Sequence, residues 1–164
     1  MMFSEKLIKE MNVQIRHELY SAYLYLSMAS HFDAQNLKGF GHWMKVQAKE
    51  EMEHGMKFYE YLNSRGAKVN LEAIEQPPLE FGTLVEIFEM VLGHEKSVTD
   101  RINLLYSIAV EDKDYASQSF LNWFVDEQVE EEEHAGEILE TLKKVGDKGT
   151  ALFMLDRSLG GRAE

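Results

Sequence analysis

The chain has 164 residues, with 17 Lys plus Arg against 29 Asp plus Glu for a formal net charge of −12, 45% hydrophobic residues and no cysteine. That length fits a single domain over residues 1–164 with a substantial core, and the acidic balance argues against nucleic acid or an anionic membrane as partner while favouring cations. Without cysteine there are no disulfides, thiolate metal sites or Cys nucleophiles, so any metal must be held by oxygen and imidazole.

The N-terminal segment Met1-Met2-Phe3-Ser4-Glu5-Lys6 has neither a basic export region nor an uninterrupted apolar stretch, and no run elsewhere is long enough to span a bilayer. The expectation is a soluble, cytoplasmic protein. From Ser4, which can cap a helix, Leu7, Met11, Ile15, Glu18, Ala22, Tyr25 and Ala29 recur at the spacing of one helix face. After a short connection at 33–36, Phe40, Met44, Gln47, Glu51, His54, Phe58 and Leu62 form a second face that stops near Gly66. Residues 67–82 then include both prolines of the chain, Pro77 and Pro78. At ~3.3 Å per residue such a linker reaches about 50 Å, longer than a helix of about 29 residues at 1.5 Å rise.

Thr83 and Glu86 form a capping box that starts a third face, Leu84, Phe88, Val91, Glu95, Val98, Ile102, Leu105 and Ala109. Residues 112–114 make a short turn, Asp114 caps, and Phe120, Phe124, Gln128, Glu131, Ala135, Ile138 and Leu142 form the fourth face, ending at Gly146. Short connections make helices one and two antiparallel, and likewise three and four, while the long linker crosses over between the pairs. The predicted fold is all-α: a four-helix bundle over 4–146 with one long crossover, and a short C-terminal fifth helix over about 148–159, packed on its own bundle or on another subunit.

Four of these faces carry a carboxylate where an apolar side chain belongs: Glu18, Glu51, Glu95 and Glu131. Four unpaired buried carboxylates would cost several kcal/mol each, so they take up protons or a multivalent cation compensates them. In an antiparallel pair, residues at one height have indices summing to twice the loop midpoint. Glu18 with Glu51 gives a midpoint of 34.5, inside the first short loop, and Glu95 with Glu131 gives Lys113, inside the second. The acids of each pair are therefore level, although the height of one pair against the other stays open. His54 follows Glu51 as Glu-x-x-His, and a Glu from each of two helices plus such motifs is the ligand pattern of carboxylate-bridged di-iron bundles. On the fourth helix both Gln128-x-x-Glu131 and Glu131-x-x-His134 offer two ligands, and spacing alone favours His134 because it makes the two halves match.

These residues resemble the bacterial non-haem ferritins. The likeness covers essentially the whole chain and rests on the Glu18 to Tyr25 segment, Gln47-Ala48-Lys49-Glu50-Glu51-Met52-Glu53-His54, His94-Glu95, and Trp123-Phe124-Val125-Asp126-Glu127-Gln128-Val129-Glu130-Glu131. The resemblance implies a ferroxidase centre that oxidises Fe²⁺ with O₂ or H₂O₂. Its iron site A would be Glu18, Glu51 and His54, with Glu51 bridging, and its site B Glu51, Glu95 and Glu131, with Gln128 beside it. It further implies a third iron site at Glu50, Glu127 and Glu130, a non-ligand role for His134, and Tyr25 beside site A. It implies storage of ferric oxyhydroxide in a shell of twenty-four subunits, and no haem, since haem-binding relatives carry His where Glu131 stands. Trp123 reads as a core residue, and His17 and His94 as exposed or behind the ligands. Gly55, Gly93 and Gly136, inside helices near the site, read as close-approach positions or neutral surface choices. The alternative is a di-iron peroxidase resembling rubrerythrin that stores no iron, a reading that a His134 ligand would favour.

Overall fold

The computed structural model describes residues 3–164, so Met1 and Met2, which begin the N-terminal segment, lie outside it. Its helices are α1 (Glu5–Ala34), α2 (Lys38–Ser64), α3 (Leu84–Glu111), α4 (Tyr115–Val145) and α5 (Gly149–Gly160). None of them is long and apolar enough to cross a membrane.

The boundaries are set by local chemistry. Ser4 accepts from the Leu7 N–H at 3.1 Å, Thr83 and Glu86 close the expected capping box, and Asp114 accepts from the Ser117 N–H at 3.1 Å. Each of the first three helices ends the same way, with a residue of positive φ that lets two backbone N–H groups turn back onto the last free carbonyls. Gly66 fills that position after α2, as expected, but Asn36 and Lys113 fill it after α1 and α3. α1 therefore runs two residues into the stretch expected to be loop, and the 112–114 turn falls as predicted.

α1 packs along α2 and α3 along α4. The crossover climbs the outside of α1: Asn12 holds the Lys68 carbonyl and the Asn70 N–H, Arg16 pairs with Glu75 at 3.3 Å, and Ser27 donates to the Pro78 carbonyl at 2.7 Å. α3 consequently starts at the same end of the bundle as α2, and Ser4 at the start of α1 meets Asp112 at the end of α3.

The core is two apolar clusters. Phe32, Phe40, Met44 and Phe88 centre one, and Leu7, Met11, Phe58, Leu105 and Phe124 the other. Burying each such side chain contributes roughly 1.5–3 kcal/mol. Glu18, Glu51, Glu95, Gln128 and Glu131 occupy the sequence positions between the two clusters on their helices and are all buried.

At the end where α2 stops and α4 begins, Arg65 reaches Asp114 through both Nη atoms, each at 3.2 Å, while Ser117 Oγ donates to Asp114 Oδ2 at 2.8 Å. One carboxylate thus caps α4 and ties it to α2. Asp114→Ala removes the cap and strands Arg65, and should lower stability by about 2–4 kcal/mol. Asp114→Asn keeps an acceptor for the cap and should lose about half of that, as read from urea melts.

The fifth helix docks on its own bundle. Leu159 is buried, Leu152 and Leu155 pack against the Phe40 cluster, and Asp156 Oδ1 accepts from the Phe40 N–H at 3.0 Å, which caps α2 where Leu37 offers no side-chain acceptor. Its other face leaves Phe153 and Met154 exposed.

Candidate metal centre

Glu18, Glu51, Glu95 and Glu131 all face inward, one from each long helix, with His54 one turn beyond Glu51. Ligand atoms of Glu18, Glu51 and His54 lie within 4.8 Å of one another, and so do those of Glu51, Glu95 and Glu131. Glu51 belongs to both groups. A third group, His54, Glu127 and Glu131, shares two residues with these.

Glutamines surround the carboxylates. Gln14 donates to Glu18 Oε1 at 2.9 Å, Gln47 to Glu131 Oε2 at 2.6 Å and to Glu51 Oε1 at 3.3 Å, and Gln128 to the Glu95 carboxylate at 3.2 Å. Glu18 Oε2 is buried and has no hydrogen-bond partner among the described residues. His54 Nδ1 stands 3.7 Å from it and 3.4 Å from Glu51 Oε2. An unpartnered buried carboxylate oxygen beside an imidazole and a second carboxylate is a set of donors that fits a divalent cation.

Proton affinities record the crowding. Burial, then the charge of Glu95, pushes Glu51 well above the usual carboxylate range. Burial raises Glu95 to about 7, and burial together with the Glu95 charge raises Glu131 to about 8. Burial opposes a charged imidazole at His54, but the Glu18 and Glu51 carboxylates outweigh it and push His54 up to about 11. Burial works to raise Glu18 as well, yet His54 beside it holds that carboxyl below its ordinary value.

Tyr25 stands elsewhere than expected. Its hydroxyl donates to Glu95 Oε1, so it lies on the Glu95 side of Glu51 and not beside Glu18. The resemblance placed it beside site A; the hydrogen bond ties it to Glu95, a member of the other trio. His94 packs edge-on against the Tyr25 ring at 5.8 Å and bonds Ser21 Oγ at 2.7 Å. Trp123 is 40% exposed and not a core residue; its ring stands edge-on to His54 and carries the Lys57 ammonium 3.1 Å above it. Of the three helix-interior glycines, only Gly55 meets a neighbouring helix, where an added Cβ would stand 3.3 Å from Leu19, while Gly93 and Gly136 face open space.

Glu50, Glu127 and Glu130 are not brought together as one ligand group. Glu127 approaches His54 Nε2 at 3.9 Å, Glu130 is exposed, and Glu50 pairs with Arg162 at 2.8 Å. His134 is exposed in a groove with Glu50 and Arg162 and joins no ligand group among the described residues.

Gln14, Gln47 and Arg162 went unmarked as site residues in the sequence. The glutamines do carry a signal, since each stands four residues before an inward Glu on the same helix face. Arg162 carries none.

The ferritin-like domain family matches residues 8–145. The bacterial non-heme ferritin of Staphylococcus aureus strain USA300 is 42% identical over 161 residues, covering 98% of this chain and 97% of its own length. That of Staphylococcus saprophyticus is 41% identical over 162 residues, covering 99% and 97%. Among solved structures, an open pore ferritin from the archaeon Archaeoglobus fulgidus superposes with a TM-score of 0.96 at 48% identity, covering 98% of each chain. A humanized archaeal ferritin gives 0.97 at 46% identity, also covering 98% of each. With its crossover bundle, its shared glutamate and these likenesses, the chain belongs to the ferritin family.

Proposed function

We propose that this protein stores iron by oxidising Fe²⁺ at the buried carboxylate centre and passing Fe³⁺ to a mineral held inside a shell of its own copies. The observation that carries the reading is that Glu51 belongs to two separate ligand trios, Glu18-Glu51-His54 and Glu51-Glu95-Glu131, the requirement for two adjacent ions with one bridging carboxylate. Each Fe²⁺ supplies one electron. Two electrons and two protons convert O₂ to H₂O₂, or H₂O₂ to two waters. Carboxylate ligands stabilise Fe³⁺ more than Fe²⁺ because the attraction grows with charge, which favours the oxidised ion. Glu18, Glu51, His54, Glu95 and Glu131 would hold the iron, while Gln128 and Tyr25 would orient Glu95 by donating to its carboxylate. Glu127, 3.9 Å from His54 Nε2, would extend the centre on that side.

Single-turnover oxidation of Fe²⁺ tests the site. Glu18→Ala and His54→Ala should each slow the fast phase by more than tenfold, and wild-type rates in both would overturn the assignment. The peroxidase alternative gains nothing from His134, which is exposed.

A twenty-four-subunit, cytoplasmic shell accounts for the apolar surface. A cleft of about 630 Å³ between α1, α2 and the crossover is lined by Leu19, Tyr23, Leu26, Met52 and Ile74, a lining suited to burial against a second copy. Phe153 and Met154 on α5 offer a further apolar contact. Light scattering should give a particle near twenty-four times the 19.0 kDa chain mass; a monomer or dimer would overturn storage in a shell.

A further inference from the structure

Arg162, just beyond α5, touches no residue of the Glu18-Glu51-His54 and Glu51-Glu95-Glu131 trios, yet two hydrogen bonds separate it from Glu131. Its Nη1 donates to Gln47 Oε1 at 3.0 Å, and Gln47 Nε2 donates to Glu131 Oε2 at 2.6 Å and to Glu51 Oε1 at 3.3 Å. Gln47 is 1% exposed and makes these contacts inside the bundle. The guanidinium is itself held on several sides: Nη2 on Glu50 at 2.8 Å, Nη1 on the Trp43 carbonyl at 3.2 Å, its plane over the Trp43 ring at 4.5 Å, and its own carbonyl on His42 Nε2 at 2.8 Å.

We propose that Arg162 is a positioning residue for the Glu51-Glu95-Glu131 half of the centre, acting by locking the Gln47 amide with its N–H₂ toward the carboxylates. An amide side chain has an acceptor end and a donor end, and in a free glutamine either can face inward. Arginine has donors only, so the end facing Arg162 must be the carbonyl. The N–H₂ then points inward, where it bonds one oxygen of Glu131 and one of Glu51 and leaves their other oxygens for a cation. Turned the other way, Gln47 would aim a carbonyl oxygen at two carboxylates and compete with them for the ion. The Glu18 side repeats the arrangement more loosely: Arg101 Nε faces Gln14 Oε1 at 3.4 Å, and Gln14 Nε2 donates to Glu18. Outer partners of this kind typically change metal affinity ten- to a hundredfold when removed. The inference rests on the di-iron reading above.

Anaerobic titration with Co²⁺, followed by its visible absorption and by calorimetry, tests both separately. Wild-type protein should take up two Co²⁺ per chain in the bundle, and Glu18→Ala should lose one of them; failure of either overturns the di-iron reading and this inference with it. Given that result, Arg162→Ala and Gln47→Leu should each weaken the ion of the Glu51-Glu95-Glu131 trio by about tenfold or more and alter its absorption band, with a smaller effect on the other ion through the shared Glu51. Arg162→Lys, which keeps a donor toward Gln47, should recover most of the loss. Arg162→Ala combined with Gln47→Leu should be no worse than Gln47→Leu alone, because the route through Gln47 is then already cut. Wild-type affinities and spectra in Arg162→Ala, or additive losses in the double variant, would overturn the proposal while leaving the di-iron reading intact. Equal particle size across the variants shows that assembly is not the cause.

Discussion

Loading the metal-free protein with Zn²⁺ in the absence of oxidant at pH 7 is expected to release about three protons per chain. At that pH His54, pushed up to about 11, is an imidazolium, and Glu51 holds a proton. Glu131, at about 8, is mostly protonated, and Glu95, at about 7, is half so. Two divalent ions need four carboxylates and a neutral imidazole, and those ligands balance their charge. The metal-free centre reaches near-neutrality by holding protons and the loaded centre by holding metal, so the exchange is close to charge for charge. Ligands with ordinary proton affinities would release well under one proton at pH 7. Calorimetry in buffers of different ionisation enthalpy counts the protons. Release of less than one would mean that the carboxylates stand ionised and uncompensated in the empty bundle. With about three protons exchanged, joint affinity for the two ions should fall about a thousandfold per unit drop in pH near neutrality.

The same protons set the sign of the stability change. At pH 7 the folded chain holds protons on Glu51, Glu131, His54 and part of Glu95 that the unfolded chain has mostly given up, and Glu95 and Glu131 release theirs on the way to pH 8.5. A folded state that binds more protons than the unfolded state loses stability as pH rises. For His54 the contribution is complete below its ordinary value and is lost on rising through about 11. His17 and His94, both lowered chiefly by burial, act with the opposite sign, but their contribution is largely complete by pH 7 and its small remainder ends just above it. Metal-free protein should therefore melt lower at pH 8.5 than at pH 7, and saturating Zn²⁺ should remove the dependence.

The inward carboxylates were legible in the sequence because a helical period marks which positions must be apolar, and Glu18, Glu51, Glu95 and Glu131 break that rule at matched heights. Caps at Ser4, Thr83 and Asp114 were legible for the same reason that they work, since the acceptor is local to the N–H groups it satisfies. The turns at Asn36 and Lys113 were not, because glycine is the residue that signals positive φ and both chains turn there without it. The contact of Tyr25 with Glu95 was not legible, because index sums align helices within a pair and Tyr25 and Glu95 stand on helices of different pairs. Arg162 was invisible on different grounds. Its contact with Gln47 spans 115 residues and exists only because α5 docks across the start of α2.

That docking hinges on a single hydrogen atom, and Gly39→Ala should expel the fifth helix. A Cβ at Gly39 would stand 1.6 Å from the Asp156 carbonyl oxygen and 2.5 Å from its carbon, both backbone atoms of α5 that no change of rotamer can move. Gly160 meets the same point from the other side, where its Cβ would lie 3.3 Å from the Gly39 Cα. The two helices touch backbone to backbone, and α5 has to retreat. Retreat strips the Asp156 acceptor from the Phe40 N–H, which costs about 1 kcal/mol, and uncovers Leu152, Leu155 and Leu159, at roughly 1–2 kcal/mol each. Those contacts are what hold the helix down, so a clash that prevents them leaves little to keep it in place. Amide hydrogens of 149–160 should lose their protection from exchange, and protease should cut near Gly146. Gly93→Ala, where the added methyl meets open space, should instead be neutral or stabilise by up to about 1 kcal/mol. Full protection of α5 in Gly39→Ala would show that the contact can yield elsewhere. Because Arg162 lies just beyond α5, its departure also withdraws the guanidinium from Gln47, and a substitution that touches no ligand should reproduce the metal-binding defect of Arg162→Ala.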